Sequence, residues 1–209
     1  MSTPRLQDVE QRIHDTLKRT LASAVVRRSE RPDDLILDLD AEWTNALLNS
    51  LLILGEAEHG LTVYPRRLYF SRDGTRGRNA KYDVHPHDDG EYLVDACWTN
   101  YPRRGWSAQL RHGLIRKPRI VLACESEWTA DIEAVLQDFA KLTDLDATMK
   151  VMLFAFTPPR ATFDDVANLC AAAASARRVE PREDGYLLLG WPVGAAWGTS
   201  PTTGYLQPQ

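Results

Sequence analysis

The order of apolar and polar segments predicts an α/β (α+β) fold: a mixed central β-sheet flanked by helices, with an extra helix at the N-terminal end. Three observations predict it. An amphipathic helical period opens the chain, three β-rich segments follow a strongly apolar helix, and strands then alternate with helices.

Thr3-Pro4 has the character of an N-cap with proline in the first helical turn. Behind it Leu6, Val9, Ile13, Leu17, Leu21 and Val25 recur three or four residues apart, which predicts one apolar helical face. That face either covers the core or pairs with a second copy, so a homodimer through this helix is an expected partner. A second helix is predicted from about Asp40 to His59, with Gly60 as its stop. Its stretch ALLNSLLILG is apolar nearly all round and should be buried against a sheet. Glu42 and Glu56 are its polar exceptions.

GLTVYPRRLYFSRDGTRGRN mixes β-formers, turn residues and arginines, and reads as one or two short strands with a basic loop. KYDVHP and EYLVDACW follow, separated by HDDG with its Asp-Gly hairpin signal. A long connection, Tyr101–Lys117, leads to the strand RIVLACESEW. A helix from about Thr129 to Leu142 places Ile132, Val135, Leu136, Phe139 and Leu142 on one face. KVMLFAF is uniformly apolar and should be a central strand. TFDDVANLCAAAASARR forms a helix after Pro158-Pro159, and GYLLLGW a last strand. The uncharged tail PVGAAWGTSPTTGYLQPQ is expected to be irregular.

At 209 residues the chain reads as a single domain, 1–209. It divides into an N-terminal helical extension (1–30), a core (40–156), and a C-terminal helix, strand and tail (157–209). No apolar run approaches the ~20 residues of a membrane span, and MSTPRLQDVEQRIHD lacks the apolar centre of a secretory signal. A cytoplasmic protein without a membrane partner is the expectation. Cys97, Cys124 and Cys170 are odd in number and lack CxxC spacing, which predicts structural packing rather than disulfides or a zinc site. His85 and His87 flank Pro86 in a turn, where exposed histidines are the expected reading.

The net charge of −4 hides an uneven distribution. Basic residues outnumber acidic ones between Arg66 and Arg119, and a polyanion responds to local charge. Within that region Arg103, Arg104, Arg111 and Arg116 are interleaved with Tyr101 and Trp106. Arginines for phosphate and aromatics for stacking suit nucleic acid, especially single-stranded pieces. A solvated surface excursion with Trp106 packed on the core is the competing reading.

The chemistry centres on ACESEW. Glu125 and Glu127 stand two residues apart in a strand, on one face and roughly 6.5–7 Å from each other. Asp95 lies in the apolar segment EYLVDACW. Burying a lone carboxylate is costly, so these groups need a metal ion, a basic partner such as Arg119 or Lys117, or water.

Helix, three-stranded meander, helix and strand, with these carboxylates, resemble the core of the PD-(D/E)XK nuclease superfamily over roughly Asp40 to Phe156. The resemblance implies a restriction-endonuclease-like sheet and metal-dependent hydrolysis of a phosphodiester in DNA or RNA. Asp95 then matches the family's aspartate and Glu125 the first acid of its acidic-X-lysine triplet. Mg²⁺ or Mn²⁺ would be the cofactor, held by Asp95, Glu125 and Glu42, with Asp83 as the fallback ligand. Glu127 stands where the family usually has lysine, as in restriction endonucleases that carry Glu-X-Glu, and would take a second ion or act as general base. Asp95, Glu125 and Glu127 are therefore the expected catalytic residues. Lys141 is the nearest substitute for the missing charge, but it falls about opposite Phe139 on the helical wheel and is expected to be solvated. Loss of the triplet lysine keeps open a non-catalytic version of the fold that binds nucleic acid or a protein. An acid/base pair of Glu125 and Glu127 acting on another substrate is less attractive, because such carboxylates must flank the scissile bond.

Overall fold

The computed structural model describes residues 5–15, 47, 48, 50, 51, 54–58, 61–64, 94–100, 120–176, 185–193 and 201–206. Among these residues six strands form one sheet in sequence order: β1 (Thr62–Tyr64), β2 (Ala96–Thr99), β3 (Ile120–Glu127), β4 (Ala147–Phe156), β5 (Gly185–Pro192) and β6 (Thr202–Leu206). The first three pair antiparallel, β3–β4 and β4–β5 pair parallel, and β6 returns antiparallel to β5. Parallel neighbours need long crossovers. These are the helices α2 (Ile132–Asp144) and α3 (Phe163–Ala176). An N-terminal helix, α1, covers 6–15, and the helical residues Leu47, Leu48, Ser50 and Leu51 precede a π-helical turn, Leu54–Glu58.

Alternation along the strands sorts the apolar side chains into two layers. Leu122, Cys124, Met149, Val151, Leu153, Leu187, Leu189 and Trp191 face Val9 and Ile13 of α1 and the helical Leu47, Leu51 and Leu54. Cys97, Ala123, Met152, Phe154 and Leu188 face Val135, Phe139 and Leu142 of α2 and Val166 and Cys170 of α3. The result is a mixed sheet with helices on both faces, as the segment order predicted. β4 is central, and all of it except Thr148 is buried.

The starts of α1, α2 and α3 are each fixed by a short-range polar contact. The Arg5 N–H donates to the Asp8 carboxylate at 3.0 Å. Asp131, extended at φ −87°, accepts the Glu133 N–H at 3.0 Å as the N-cap of α2. Thr162 and Asp165 bond reciprocally at the start of α3, the capping-box arrangement. These bonds hold the Asp165 carboxyl below its ordinary range, the Thr162 N–H most of all.

Four expectations change. Val9 and Ile13 are fully buried in the chain's own core, so this part of the α1 face is not open to a second copy. Leu17, Leu21 and Val25 lie outside the described residues. The second helix closes in a π-turn, where Gly55 lies against Trp98: a Cβ there would stand 2.8 Å from the indole. Of EYLVDACW the described residues are 94–98, and among them pairing begins at Ala96, with Val94 and Asp95 in a bend before β2. The tail is not wholly irregular, because Thr202–Leu206 is a strand. Its Thr, Tyr and Leu suit an edge strand, and its glycine has a packing reason. Phe163, the first residue of α3, sits over Gly190 of β5 and Gly204 of β6, where a Cβ would come within 2.7 and 3.0 Å of its ring. The same ring stacks on Phe154, with centroids 5.6 Å apart.

No helix among the described residues is long and apolar enough to cross a membrane. The glycine notch gives the first prediction. Gly190→Ala forces Phe163 and Phe154 apart and destabilises the protein by about 1–3 kcal/mol in urea denaturation, the usual cost of overpacking. Gly204→Ala, with the looser approach, costs less.

Candidate functional site

β3 is apolar until Glu125, and there the alternation sets a carboxylate on the layer shared with α2. Glu125 is only 2 % exposed. The register of β2 and β3 pairs Cys97 with Ala123 and Ala96 with Cys124. Continued by one residue, it sets Asp95 across from Glu125. The Asp95 carboxylate accepts two bonds from Ser126, from its N–H at 2.8 Å and its hydroxyl at 2.6 Å. These bonds clamp the bend before β2 to the end of β3 and hold Asp95 beside Glu125.

Lys141 completes the group, contrary to expectation. Its Nζ lies 2.6 Å from Asp138 Oδ1 and 3.4 Å from Glu125 Oε1. Taken against the whole buried face of Val135, Phe139 and Leu142, position 141 lies roughly 130° away at ~100° per residue. The long aliphatic stem spans the remaining distance while the residue stays half exposed. The sequence signal was the Asp138–Lys141 spacing of three, which pairs side chains along a helix.

The electrostatics follow from this packing. Burial pushes the Glu125 carboxyl from its ordinary value near 4.5 up to about 8. The charge on Asp95 adds to that push, Lys141 opposes it, and Asp138 adds to it again. The Lys141 ammonium is held above the ordinary lysine range, chiefly by its bond to Asp138. Glu125 Oε1 is buried and has no hydrogen-bond partner among the described residues, only the 3.4 Å ion pair.

Glu127 is placed differently. Its carboxylate accepts the Thr129 N–H at 2.7 Å and braces the turn into α2, in which Ala130 adopts a left-handed φ of 56°. Glu42, Asp83, Arg103, Arg104, Trp106, Arg111, Arg116, Lys117 and Arg119 lie outside the described residues, as do His85 and His87. The three cysteines are buried and unpaired. Burial pushes the Cys97 and Cys170 thiols up to about 12, and burial followed by Asp95 and Glu125 raises Cys124. Such thiols are packing groups rather than nucleophiles.

Among the described residues no set of three or more His, Cys, Asp or Glu surrounds one point. Glu42 lies outside those residues, and among them the candidate metal ligands are Asp95 and Glu125. They fit a hard divalent cation: both donors are carboxylate oxygens, one is buried without a hydrogen bond, and Mg²⁺ commonly uses one or two carboxylates with water and phosphate. Ser126, Asp138 and Lys141 are the site residues that sequence reasoning did not assign.

No protein-family model matches the chain, no curated protein matches its sequence, and no solved structure matches its fold significantly. The site rests on its own geometry.

The raised Glu125 pKa has a signed consequence. The unfolded carboxyl keeps its proton only below about 4.5, whereas the folded one keeps it to about 8. The folded state binds more protons in between, so this group's contribution to stability is full below pH 4.5 and is lost as pH rises through 8. Glu125→Gln keeps the shape and removes the titration. Its stability should match wild type near pH 4.5 and exceed it by about 2–4 kcal/mol at pH 8.5, as read by thermal denaturation.

Proposed function

We propose that this chain is a Mg²⁺- or Mn²⁺-dependent phosphodiesterase of DNA or RNA, built on a restriction-endonuclease-like core. The observation that carries this reading is Glu125: a buried carboxylate set across from Asp95, with one oxygen lacking a hydrogen-bond donor. The run of helical residues, three antiparallel strands, α2 and parallel β4 supports it, being the element order of that core.

A divalent ion bound there would lower the pKa of a bound water and stabilise charge on the phosphate. The chain's own residues have separable roles. Asp95 presents its oxygens from the bend before β2 and Glu125 from β3, and Ser126 fixes the direction of Asp95. Lys141 brings from α2 the positive charge that Glu127 does not carry, within reach of Glu125. A lysine held there stabilises negative charge developing on a phosphoryl oxygen. Glu127, occupied with Thr129, is given no part. The basic segment between Arg66 and Arg119 is the proposed contact for the polyanion.

The test is cleavage of single- and double-stranded DNA and RNA with Mn²⁺. Asp95→Asn and Glu125→Gln should each lower the rate by ~10²-fold or more, as loss of a transition-state electrostatic contact does, while circular dichroism and thermal unfolding show a folded protein. Lys141→Met should lower it by a similar factor. Undiminished cleavage by Asp95→Asn and Glu125→Gln overturns the proposal. A wild-type protein that binds nucleic acid in a salt-sensitive manner but does not cut it points to the non-catalytic form of the fold.

A further inference from the structure

We infer that Asp138 is a positioning residue that holds the Lys141 ammonium off Glu125 and so keeps the buried Glu125 Oε1 open to a divalent cation. This inference rests on the metal-binding reading of Asp95 and Glu125, and deepens it.

The geometry carries the argument. A buried carboxylate and a lysine ammonium within reach of it ordinarily close to a charge-assisted hydrogen bond of about 2.7–2.9 Å. Here that close bond is formed with Asp138, at 2.6 Å, while Glu125 stays at 3.4 Å without a hydrogen bond. Yet Asp138 is the more exposed of the two carboxylates, at 18 % against 3 % for Glu125. Once Glu125 is ionised, desolvation alone would place the ammonium on this more buried carboxylate, where attraction is least screened. It is kept away because Asp138 precedes Lys141 by three residues on the same helix, a spacing that sets the pair side by side whatever the sheet does.

The arrangement has a consequence for ligand choice. Closed onto Glu125, Lys141 would be an internal counterion occupying the oxygen a metal needs. Held by Asp138, it stays near enough to act on a bound phosphate while Glu125 Oε1 is left without a hydrogen bond among the described residues. Asp138 thus decides which cation, the ammonium or the metal, takes Glu125.

Two measurements test this. In crystals of metal-free Asp138→Asn, Lys141 Nζ should move from 3.4 Å to hydrogen-bond distance of Glu125 Oε1. An ammonium that stays put or turns to solvent overturns the inference, whether or not metal binds. The second measurement is Mn²⁺ affinity by calorimetry, in the absence of substrate. Asp138→Asn should weaken binding about tenfold when Lys141 is present and only about twofold in a Lys141→Met background, the non-additivity of a pair acting through one contact. Equal losses in both backgrounds mean that Asp138 acts only by its charge, and overturn the inference. Wild-type protein that binds no Mn²⁺ overturns the metal reading of the site, and with it the role of Asp138 in choosing the cation. The crystal result then reports separately on whether Asp138 holds Lys141.

Discussion

A carboxylate enclosed between a sheet and a helix must be matched by a proton, a cation or a hydrogen-bond donor, and Glu125 imposes that requirement on everything around it. An isolated buried charge costs several kcal/mol or more, so the group keeps a proton or gains a partner. The protein offers a partial answer of each kind. The raised pKa favours the proton, Lys141 supplies an ion pair at 3.4 Å, and Oε1 has no close hydrogen bond among the described residues. A group kept solely for stability would be better replaced by an apolar side chain, because a buried ion pair rarely gains more than it loses. An unsatisfied, readily protonated carboxylate next to a second acid instead suits a site that accepts a cation from outside.

The sheet topology explains why the two acids meet. β2 runs antiparallel to β3, so the residue entering β2 lies beside the residues leaving β3. Asp95 and Glu125 are separated by the long stretch between those strands, yet the register makes them neighbours. α2 must return from the end of β3 to the start of the parallel β4, and therefore passes over the face that Glu125 occupies. The parallel crossover brings Lys141 and Asp138 to the site for that reason alone. Among the described residues, the far side of the sheet carries α1 and the helical residues around Leu51.

Much of this was legible in the sequence, and the failures have identifiable causes. The α2, α3, β3, β4 and β5 segments stand out because period and composition agree: Val135, Phe139 and Leu142 repeat as a helix should, and β4 is apolar apart from Thr148 and Lys150. β6 was missed because Gly, Pro and Thr read as loop, whereas Gly204 is there to admit the ring of Phe163. Asp95 and Glu125 could be paired by strand order alone. Ser126 could not be, since a serine between two glutamates carries no sign that it will bond a residue on the neighbouring strand. Lys141 was misjudged for a geometric reason. A helical wheel compares Cα directions, and a lysine reaches several ångströms beyond its Cα, enough to turn an outward position into a contact with the inner face.

That reach also bears on what a cation borne on a helix does that one borne on the strand would not. A lysine at position 127 would share the pleat of Glu125, about 7 Å away on the same strand, with its place set by the sheet. A lysine on α2 approaches across the layer instead, and its neighbour three residues earlier can hold it in place. Lys141 also lies in the last turn of its helix, where the partial negative charge of the terminal carbonyls favours an ammonium. Both influences draw the charge toward the helix rather than toward Glu125. The carboxylate therefore stays incompletely neutralised even though a cation is close by, with Lys141 2.6 Å from Asp138 and 3.4 Å from Glu125.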